Sequence, residues 1–248
     1  MEFKDHFSKL AEIYAKSRPR YPDSLFDYLA AVAPGRELAW DCGTGNGQAA
    51  VSLARHFEQV WATDASPEQI EYAQPHPRVT YRVEAAEHVS VETGSCDLVT
   101  VAIAVHWFDL DLFYKEVRRV LKPGGVLAVW TYHLPVISPE IDRIVLKYYA
   151  EVLQGYWPER IHYVDKRYQT LPFPFEELSA PTFNMLADWD LDQLAGFLAS
   201  WSAAKRFYDQ RGYHPLDEIW ESLALAWGPA ANQRQVSWPL HLRVGQRG

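Results

Sequence analysis

Between residues 37 and 131, short apolar runs alternate with segments whose apolar residues recur at helical spacing. Apolar runs of about four to eight residues between turn signals are typical of buried strands. The predicted strands are Glu37–Asp41, Val60–Asp64, Val79–Val83, Cys96–Ala104 and Val126–Thr131. Because strands that are apolar on both faces and alternate with helices form parallel sheets, the pattern predicts an α/β fold with helices on both faces.

The helices between these strands have recognisable faces and ends. A helix beginning at Ser66-Pro67 has a good N-cap residue followed by proline at its first position. The helix after the fourth strand ends at Lys122-Pro123-Gly124-Gly125. The apolar face of the first helix consists of Ala50, Leu53, Ala54 and Phe57, and that of the last consists of Leu110, Phe113, Val117, Val120 and Leu121.

Ligands of a parallel α/β sheet bind beyond the carboxyl ends of its strands. We therefore expect the turns after Asp41, Asp64, Val83 and Ala104 to open onto one crevice.

The flanking segments are less regular. Residues 1–35 have a helical pattern that breaks at Arg18–Pro22, and further helices are predicted from Ser138-Pro139 and over 190–207 and 215–227. Residues 238–244 alternate with period two, which is typical of a strand. We expect a single domain over residues 1–248. Its core lies at about 37–131, its cap and substrate-side elements at about 1–35 and 132–235, and its final strand at about 237–245.

The chain has 248 residues, a formal net charge of −8 and 48% hydrophobic residues. Such a length and apolar content allow a substantial core. Nucleic-acid binding requires a cationic surface, and no cluster of basic residues is longer than Arg118-Arg119. The composition therefore favours a small-molecule substrate and no nucleic acid.

The cysteines and the hydropathy of the chain bear on its expected location in the cell. The two cysteines, Cys42 and Cys96, lie in strand-like runs and are expected to be reduced core residues. The N-terminus has no apolar stretch of signal length, and no window reaches the roughly 18 apolar residues of a membrane-spanning helix. We expect a cytoplasmic protein that does not bind membranes, is a monomer or a homodimer, and has no metal site.

The strongest chemical signal is the turn Asp41-Cys42-Gly43-Thr44-Gly45-Asn46-Gly47, between a predicted strand and a predicted helix. Glycines there permit positive φ and a close approach of the backbone to a ligand. The helix that follows places its N-terminus beside the same turn. This combination indicates a nucleotide-type cofactor, although glycine-rich turns also occur for packing reasons alone.

The residues around the glycines limit which nucleotide-type cofactor the turn can bind. A dinucleotide fingerprint needs a third glycine, but Gln48 and Ala50 stand at the two positions where it would fall. Asp41 would repel a pyrophosphate and suits the ammonium group of S-adenosylmethionine, or it stabilises the turn as an acceptor. Asp64 lies about 20 residues further on, where a carboxylate accepts from ribose hydroxyls.

Two further turns supply candidate contacts. Ala85 and Ala86 follow the third strand and would form a flat wall beside an adenine ring. Ala104 leaves room beside a sulfonium group at the end of the fourth strand, and His106 and Trp107 follow at the crevice rim. His106 is either a cofactor or substrate contact or a structural hydrogen-bonding residue.

These motifs resemble the class I S-adenosylmethionine-dependent methyltransferases, in particular the type 11 methyltransferase domain. The resemblance rests on Asp41–Gly47, Asp64, His106–Asp109 and Arg119–Gly125. A weaker similarity to the trans-aconitate methyltransferase-like branch rests on Tyr14, Arg18–Pro22, Trp130-Thr131-Tyr132 and Trp238-Pro239-Leu240. One departure is Glu84, where many relatives have aspartate.

The resemblance implies a doubly wound, mostly parallel, Rossmann-like sheet of seven strands with a helical cap from the N-terminal and C-terminal segments. It also implies S-adenosylmethionine as the cofactor. The residues that would contact the cofactor are Asp41, Gly43, Thr44, Gly45, Asp64, Ala65, Ala85, Ala86, Ala104, Tyr14 and Arg18. Tyr14 and Arg18 would fold over the site, although Arg18 is also explained as a surface charge.

Methyl transfer from a sulfonium depends mainly on alignment of the reactants. A carboxylate acceptor needs no base, whereas a hydroxyl, amine or carbon acid does, and His106 is then the candidate. Two alternatives remain: a module that binds S-adenosylmethionine without turnover, and a nicotinamide-dependent oxidoreductase, which the missing glycine and Asp41 disfavour. A macromolecular acceptor is disfavoured by the acidic balance.

Overall fold

The computed structural model describes residues 19–248. Within that range the helices are α1 Asp23–Val32, α2 Gln48–Leu53, α3 Pro67–Glu71, α4 Leu110–Val120, α5 Pro139–Lys147, α6 His162–Asp165, α7 Leu191–Ala199, α8 Ser202–Arg211 and α9 Trp220–Trp227. The strands are β1 Leu38–Cys42, β2 Gln59–Asp64, β3 Val79–Val83, β4 Cys96–Ala102, β5 Leu121–Tyr132, β6 Glu176–Leu178, β7 Phe183–Trp189 and β8 Arg234–Gln246. Short 3₁₀ turns at Val105–Trp107, Glu159–Ile161 and Pro215–Glu218 and a π-helical turn at Tyr148–Val152 complete the elements.

The chain forms two compact units. The sheet unit comprises residues 21–133, 162–184 and 239–248. The helical unit includes residues 134–161 and 185–238. Residues 162–184 therefore return to the sheet unit from within the irregular C-terminal half of the chain.

The sheet has eight strands, with the order β3-β2-β1-β4-β5-β8-β6, and β7 pairs with β8 outside this path. The five strands from β3 to β5 are parallel, and β8 is antiparallel to both β5 and β6. This confirms the mostly parallel, Rossmann-like fold expected from the sequence. The sheet has one strand more than the expected seven, and neither of the short strands β6 and β7, which pair with β8, was among the strands predicted from the hydrophobic pattern.

The central strands β1 and β4 are buried as their apolar patterns require, whereas the edge strand β3 has no buried residue. In β4 every residue from Cys96 to Val101 is buried, including Asp97. The Asp97 carboxylate accepts from the backbone N–H groups of Glu37 and Leu38 at 2.9 and 3.1 Å and from Lys122 Nζ at 2.8 Å. Three donors thus compensate the burial of this charge at the start of the central strand.

Side chains cap the first turns of α3 and α4, and the cap of α3 is the one that the sequence predicts. Ser66 accepts from the N–H of Gln69 at the start of α3, and Asp109 accepts from the N–H of Leu112 at the start of α4. Cys42 and Cys96 are buried free thiols.

Several element boundaries differ from the prediction. β4 ends at Ala102 rather than Ala104 because Ile103 has a φ of +56°, which a β-branched residue rarely adopts and which breaks the strand. β5 begins at Leu121, five residues before the predicted Val126. The predicted helix over 190–207 is divided into α7 and α8, and the one over 215–227 consists of a 3₁₀ turn followed by α9.

The helical unit has an aromatic core. Trp157 and Trp201 lie with ring centroids 5.6 Å apart, and Tyr149 packs against both rings. Trp189 and Trp238 are fully buried, with centroids 4.7 Å apart. Four of the ten tryptophans of the chain are therefore accounted for by packing in this unit, which is the more common role of such residues.

Candidate active site

A cavity of about 490 Å³ lies in the sheet unit at the carboxyl ends of β1 to β4. It is formed where the turns after these parallel strands meet, as the strand order predicts. The residues that line it are Gly43, Asp64, Ala65, Ser66, Glu84, Ala85, Ala86, Glu87, Ala104, Trp107 and Phe108. Six of the predicted cofactor residues are thus brought together: Gly43, Asp64, Ala65, Ala85, Ala86 and Ala104.

The glycine-rich turn after β1 adopts the conformation that its sequence predicts. Gly43 has a φ of +66° and Gly45 a φ of +55°. A Cβ atom on Gly43 would lie 2.5 Å from the Cβ of Ala104 and 3.2 Å from the Phe108 ring. Glycine at position 43 is therefore required both by its backbone conformation and by the close approach of the turn after β4.

Asp64 lies at the cavity wall with its carboxylate held by backbone donors. One oxygen accepts from the N–H of Gly45 and the other from the N–H of Ser66, both at 2.9 Å. Each carboxylate oxygen has two acceptor positions, so one position on each remains after these bonds are made. The side chain is therefore oriented and still has acceptor capacity for a pair of hydroxyl groups.

The part of the cavity wall that follows β3 has small side chains in its centre and a carboxylate at each end. Ala85 and Ala86 line the cavity between Glu84 and Glu87. Glu84 accepts from the hydroxyl and the N–H of Ser90, and Glu87 accepts from the N–H of Asp109 at 2.8 Å. Both carboxylates that flank the two alanines are therefore held by neighbouring segments.

Asp41 is buried beneath the turn rather than exposed to the cavity. Its side chain is 1% exposed and accepts from the hydroxyl of Thr44 at 2.6 Å and from that of Thr100 at 2.7 Å. These bonds give Asp41 the turn-stabilising role that was one of its two predicted roles. Its contact with an ammonium group stays a prediction, and so do cofactor contacts by Thr44 and Gly45, which do not line the cavity.

Burial raises the pKa of Asp41 from 3.8 to about 6, and the two threonine hydroxyls oppose this rise only in part. Between these two values the folded protein keeps a proton that the unfolded chain releases. The raised pKa of Asp41 therefore stabilises the folded protein fully at pH values below the pKa of the unfolded chain. This stabilisation is lost as the pH rises through the pKa of the folded protein.

We expect Asp41→Asn to remove this pH dependence. As the pH rises from 4.5 to 7.5, the free energy of unfolding of the variant should gain about 2 kcal/mol relative to wild type. Denaturant titrations of both proteins across this range measure the difference. Asp111→Asn, at an exposed aspartate on α4, is the control, and a difference for Asp41→Asn that does not change with pH would contradict the assignment.

His106 lies in the 3₁₀ turn after β4 and is 4% exposed. It was expected at the crevice rim, but the residue that lines the cavity there is Trp107, which is 51% exposed. The Nδ1 atom of His106 lies 2.8 Å from the hydroxyl oxygen of Tyr168. A catalytic role for His106 stays a prediction.

Sequence reasoning did not select Ser66, Glu87 or Phe108 as cofactor residues, yet all three line the cavity. Ser66 was recognised as the cap of α3, and this position next to Asp64 is the signal that could have placed it at the site. Tyr14 and Arg18 lie outside the described residues.

A second cavity of about 420 Å³ lies along β8 in the sheet unit. None of the predicted site residues lines it. Its wall includes Arg243, whose guanidinium forms an ion pair with Glu177.

Residues 19–248 contain neither a membrane-spanning helix nor a cluster of metal-ligating side chains. None of the helices in this range combines the length and apolar character that crossing a lipid bilayer requires. Over the same range, no three histidine, cysteine, aspartate or glutamate side chains are grouped as ligands of a metal ion.

Comparisons with known proteins agree with this geometry. Residues 40–129 match the family model of the methyltransferase domain. A candidate methyltransferase of Dictyostelium discoideum is 35% identical over 253 residues, which cover 99% of this chain and 96% of that protein. An uncharacterised methyltransferase of Mycobacterium bovis is 35% identical over 50% of this chain and 51% of its own length.

A solved structure also matches over nearly the whole chain. It is that of a candidate type II methyltransferase from Anaeromyxobacter dehalogenans, which is 45% identical to this chain. The match covers 92% of this chain and 97% of that one, with a TM-score of 0.86.

Proposed function

Because the chain belongs to the class I S-adenosylmethionine-dependent methyltransferases, we propose that it methylates a small molecule on a carboxylate or hydroxyl oxygen. The family assignment rules out the alternative hypothesis of a nicotinamide-dependent oxidoreductase. The similarity to the trans-aconitate methyltransferase-like branch stays a prediction.

The residues around the cavity fit the cofactor. Asp64 keeps two acceptor positions for ribose hydroxyls, and Ala85 and Ala86 form a flat wall of the kind an adenine ring contacts. The backbone at Gly43, which lacks a Cβ atom beside Ala104, would approach the methionyl part. When bound, S-adenosylmethionine supplies a methyl group attached to a positively charged sulfur.

A small acceptor is supported above all by the charge of the cavity wall. The ionisable side chains that line the cavity are the carboxylates of Asp64, Glu84 and Glu87, and no lysine or arginine lines it within the described part of the chain. The chain as a whole carries a formal net charge of −8. A polyanionic nucleic acid would be repelled by both, because it binds through phosphate contacts with basic residues.

The contribution of the chain to the reaction is mainly positioning. Holding an acceptor oxygen in line with the methyl group can supply up to about 7–11 kcal/mol of the barrier. The oriented Asp64 carboxylate and the backbone at Gly43, which lies close to Ala104, would fix one end of this alignment. A monomer or a homodimer is compatible with this proposal.

The acceptor class is tested by supplying the purified protein with S-adenosylmethionine and two panels of compounds. One panel contains small carboxylic acids and the other contains small alcohols and phenols. Formation of S-adenosylhomocysteine together with a methylated product from either panel is the expected result. Product formed only from RNA or protein would contradict the proposal, and the Asp64→Ala protein serves as the control for catalysis at this site.

A further inference from the structure

The second cavity, along β8 in the sheet unit, differs in charge from the cavity at Asp64. Its volume of about 420 Å³ lies in the range of small-molecule sites. Within the described part of the chain, the ionisable residues that line it are Arg167, Glu177, His241 and Arg243. Basic groups therefore outnumber carboxylates on this wall, although the chain as a whole has a formal net charge of −8.

The carboxylate of Glu177 is paired with one of the two arginines. It forms a two-pronged ion pair with Arg243, in which Nε of the guanidinium lies 3.1 Å from one carboxylate oxygen. The same guanidinium donates to the carbonyl oxygens of Tyr168 and Leu171, at 3.0 and 2.6 Å. Glu177 and Arg243 therefore neutralise each other, and the charge of Arg167 is left without compensation on the wall.

Arg167 lies in a strained turn next to this ion pair. It has a φ of +54° and is followed by Tyr168 with a φ of +59°. Consecutive left-handed residues with side chains persist only where their surroundings determine them, and such strain is concentrated at ligand sites. Within residues 19–248 the Arg167 guanidinium makes no hydrogen bond or ion pair. The turn therefore places a guanidinium with unused donors at the cavity wall.

His241 is a second group on this wall that an anion would stabilise. The side chain is partly buried, and its pKa is lowered by burial first and then by the positive charges of Arg167 and His133. The Asp165 carboxylate is paired with His133 at 3.2 Å. A negative charge between Arg167 and His241 would offset the repulsion between these basic groups.

The other lining residues favour one kind of anion. Thr182 and Gln169 carry a hydroxyl and a carboxamide, which can donate to an oxyanion. Leu240, Leu242 and Pro181 supply apolar surface, which an inorganic ion cannot use. One uncompensated guanidinium matches one carboxylate, to which arginine can donate two parallel hydrogen bonds. The wall therefore suits a monoanion with an apolar body.

We propose that this cavity binds the carboxylate of a small organic monoanion that has an apolar body. Arg167 donates to the carboxylate, His241 lies beside it, and the leucines of β8 contact the apolar part of the ligand. Binding makes and breaks no covalent bond. The inference goes beyond the proposed function, because the cavity shares no lining residue with the cavity at Asp64.

The test is the binding of benzoate to the whole protein labelled with ¹⁵N-histidine, followed by NMR across a pH titration. The signals of His241 are assigned by their absence from the His241→Gln spectrum. Millimolar benzoate should change these signals and shift the titration of His241 to higher pH, because a nearby negative charge favours the imidazolium. A His241 whose signals and titration do not respond to benzoate would overturn the proposal.

Two further compounds test the class of ligand. Benzamide has the shape of benzoate without its charge and should bind at least about tenfold more weakly, because a hydrogen bond to a charged group contributes about 1.5–3 kcal/mol. Inorganic phosphate has charge without an apolar body and should also bind more weakly than benzoate. Binding of either compound as tight as that of benzoate would contradict an organic carboxylate as the ligand.

Arg167→Gln should weaken benzoate binding at least about tenfold for the same reason. Lys166→Gln is the matched control, since it removes an exposed positive charge from the neighbouring residue, which does not line the cavity. Equal losses in the two variants would show a general attraction of anions and overturn the proposal. Arg167→Gly suits the left-handed backbone and repeats the test if Arg167→Gln fails to fold. Binding by a folded Arg167 variant as tight as that of wild type would also overturn it.

Failure of the proposed function is recognised separately. The benzoate titration needs neither cofactor nor methyl acceptor, and benzoate should still bind when S-adenosylhomocysteine is present at saturation. Competition between the two compounds would place benzoate in the cavity at Asp64 and overturn the inference. Absence of S-adenosylhomocysteine binding would count against the proposed function, whereas the response of His241 to benzoate still decides the inference about the second cavity.

Discussion

Replacing Asp64 with alanine is expected to weaken S-adenosylhomocysteine binding about 100-fold, which corresponds to about 2.7 kcal/mol. Hydrogen bonds to a charged group contribute about 1.5–3 kcal/mol each. Asp64 keeps one acceptor position on each oxygen, and we expect these positions to accept from the ribose hydroxyls. The substitution also removes the acceptor of the N–H groups of Gly45 and Ser66, whose bonds to Asp64 orient the turn in wild type. Calorimetric titration of the two proteins measures the change.

Two further variants separate the causes of this effect. Asp64→Asn keeps the shape of the side chain but removes its charge, and binding intermediate between wild type and Asp64→Ala is expected. Glu68→Ala removes an exposed carboxylate four residues away, in α3, that does not line the cavity, and should leave binding unchanged. Binding by Asp64→Ala within about threefold of wild type, a difference of about 0.6 kcal/mol, would exclude a ribose contact by Asp64.

Gly43→Ala is expected to cause a large loss of both binding and stability. The new Cβ would lie 2.5 Å from the Cβ of Ala104 in a backbone with a φ of +66°. A left-handed alanine costs about 1–2 kcal/mol, and overpacking adds about 1–3 kcal/mol. We expect the free energy of unfolding to fall by about 2–5 kcal/mol, and S-adenosylhomocysteine binding to weaken at least about tenfold because the cavity narrows.

Gly94→Ala is a close control for this variant. Gly94 has a φ of +67°, and a Cβ added there meets no atom within 4 Å. It should therefore lose only the backbone contribution, about 1–2 kcal/mol, and bind S-adenosylhomocysteine as wild type does. Equal losses of stability and unchanged binding in both alanine variants would contradict the close approach of the two turns.

The sequence predicts the parallel core and much of the cofactor cavity for a physical reason. Strands that are buried on both faces must be apolar, and the residues after their carboxyl ends must meet at one edge. Gly43, Asp64, Ala86 and Ala104 come from four different turns and line one cavity, as this reasoning requires.

The remaining features depend on contacts that no local pattern contains. Tyr168 lies 62 residues from His106 in an irregular segment, and its place is determined by Arg243, a further 75 residues along the chain. The end of β4 depends on the left-handed conformation of Ile103, which its side chain disfavours. The sequence predicts Asp41 at the end of the first strand, but whether its carboxylate faces the cavity or the interior depends on Thr100, on a different strand.

The most direct test of the central claim is a calorimetric titration of the wild-type protein with S-adenosylhomocysteine and, separately, with NAD⁺ and NADH. The site described above predicts binding of S-adenosylhomocysteine with a Kd on the order of micromolar, near −8 kcal/mol, and no binding of either nicotinamide cofactor. Binding of NAD⁺ or NADH without binding of S-adenosylhomocysteine would contradict a methyltransferase site at Asp64 and Gly43.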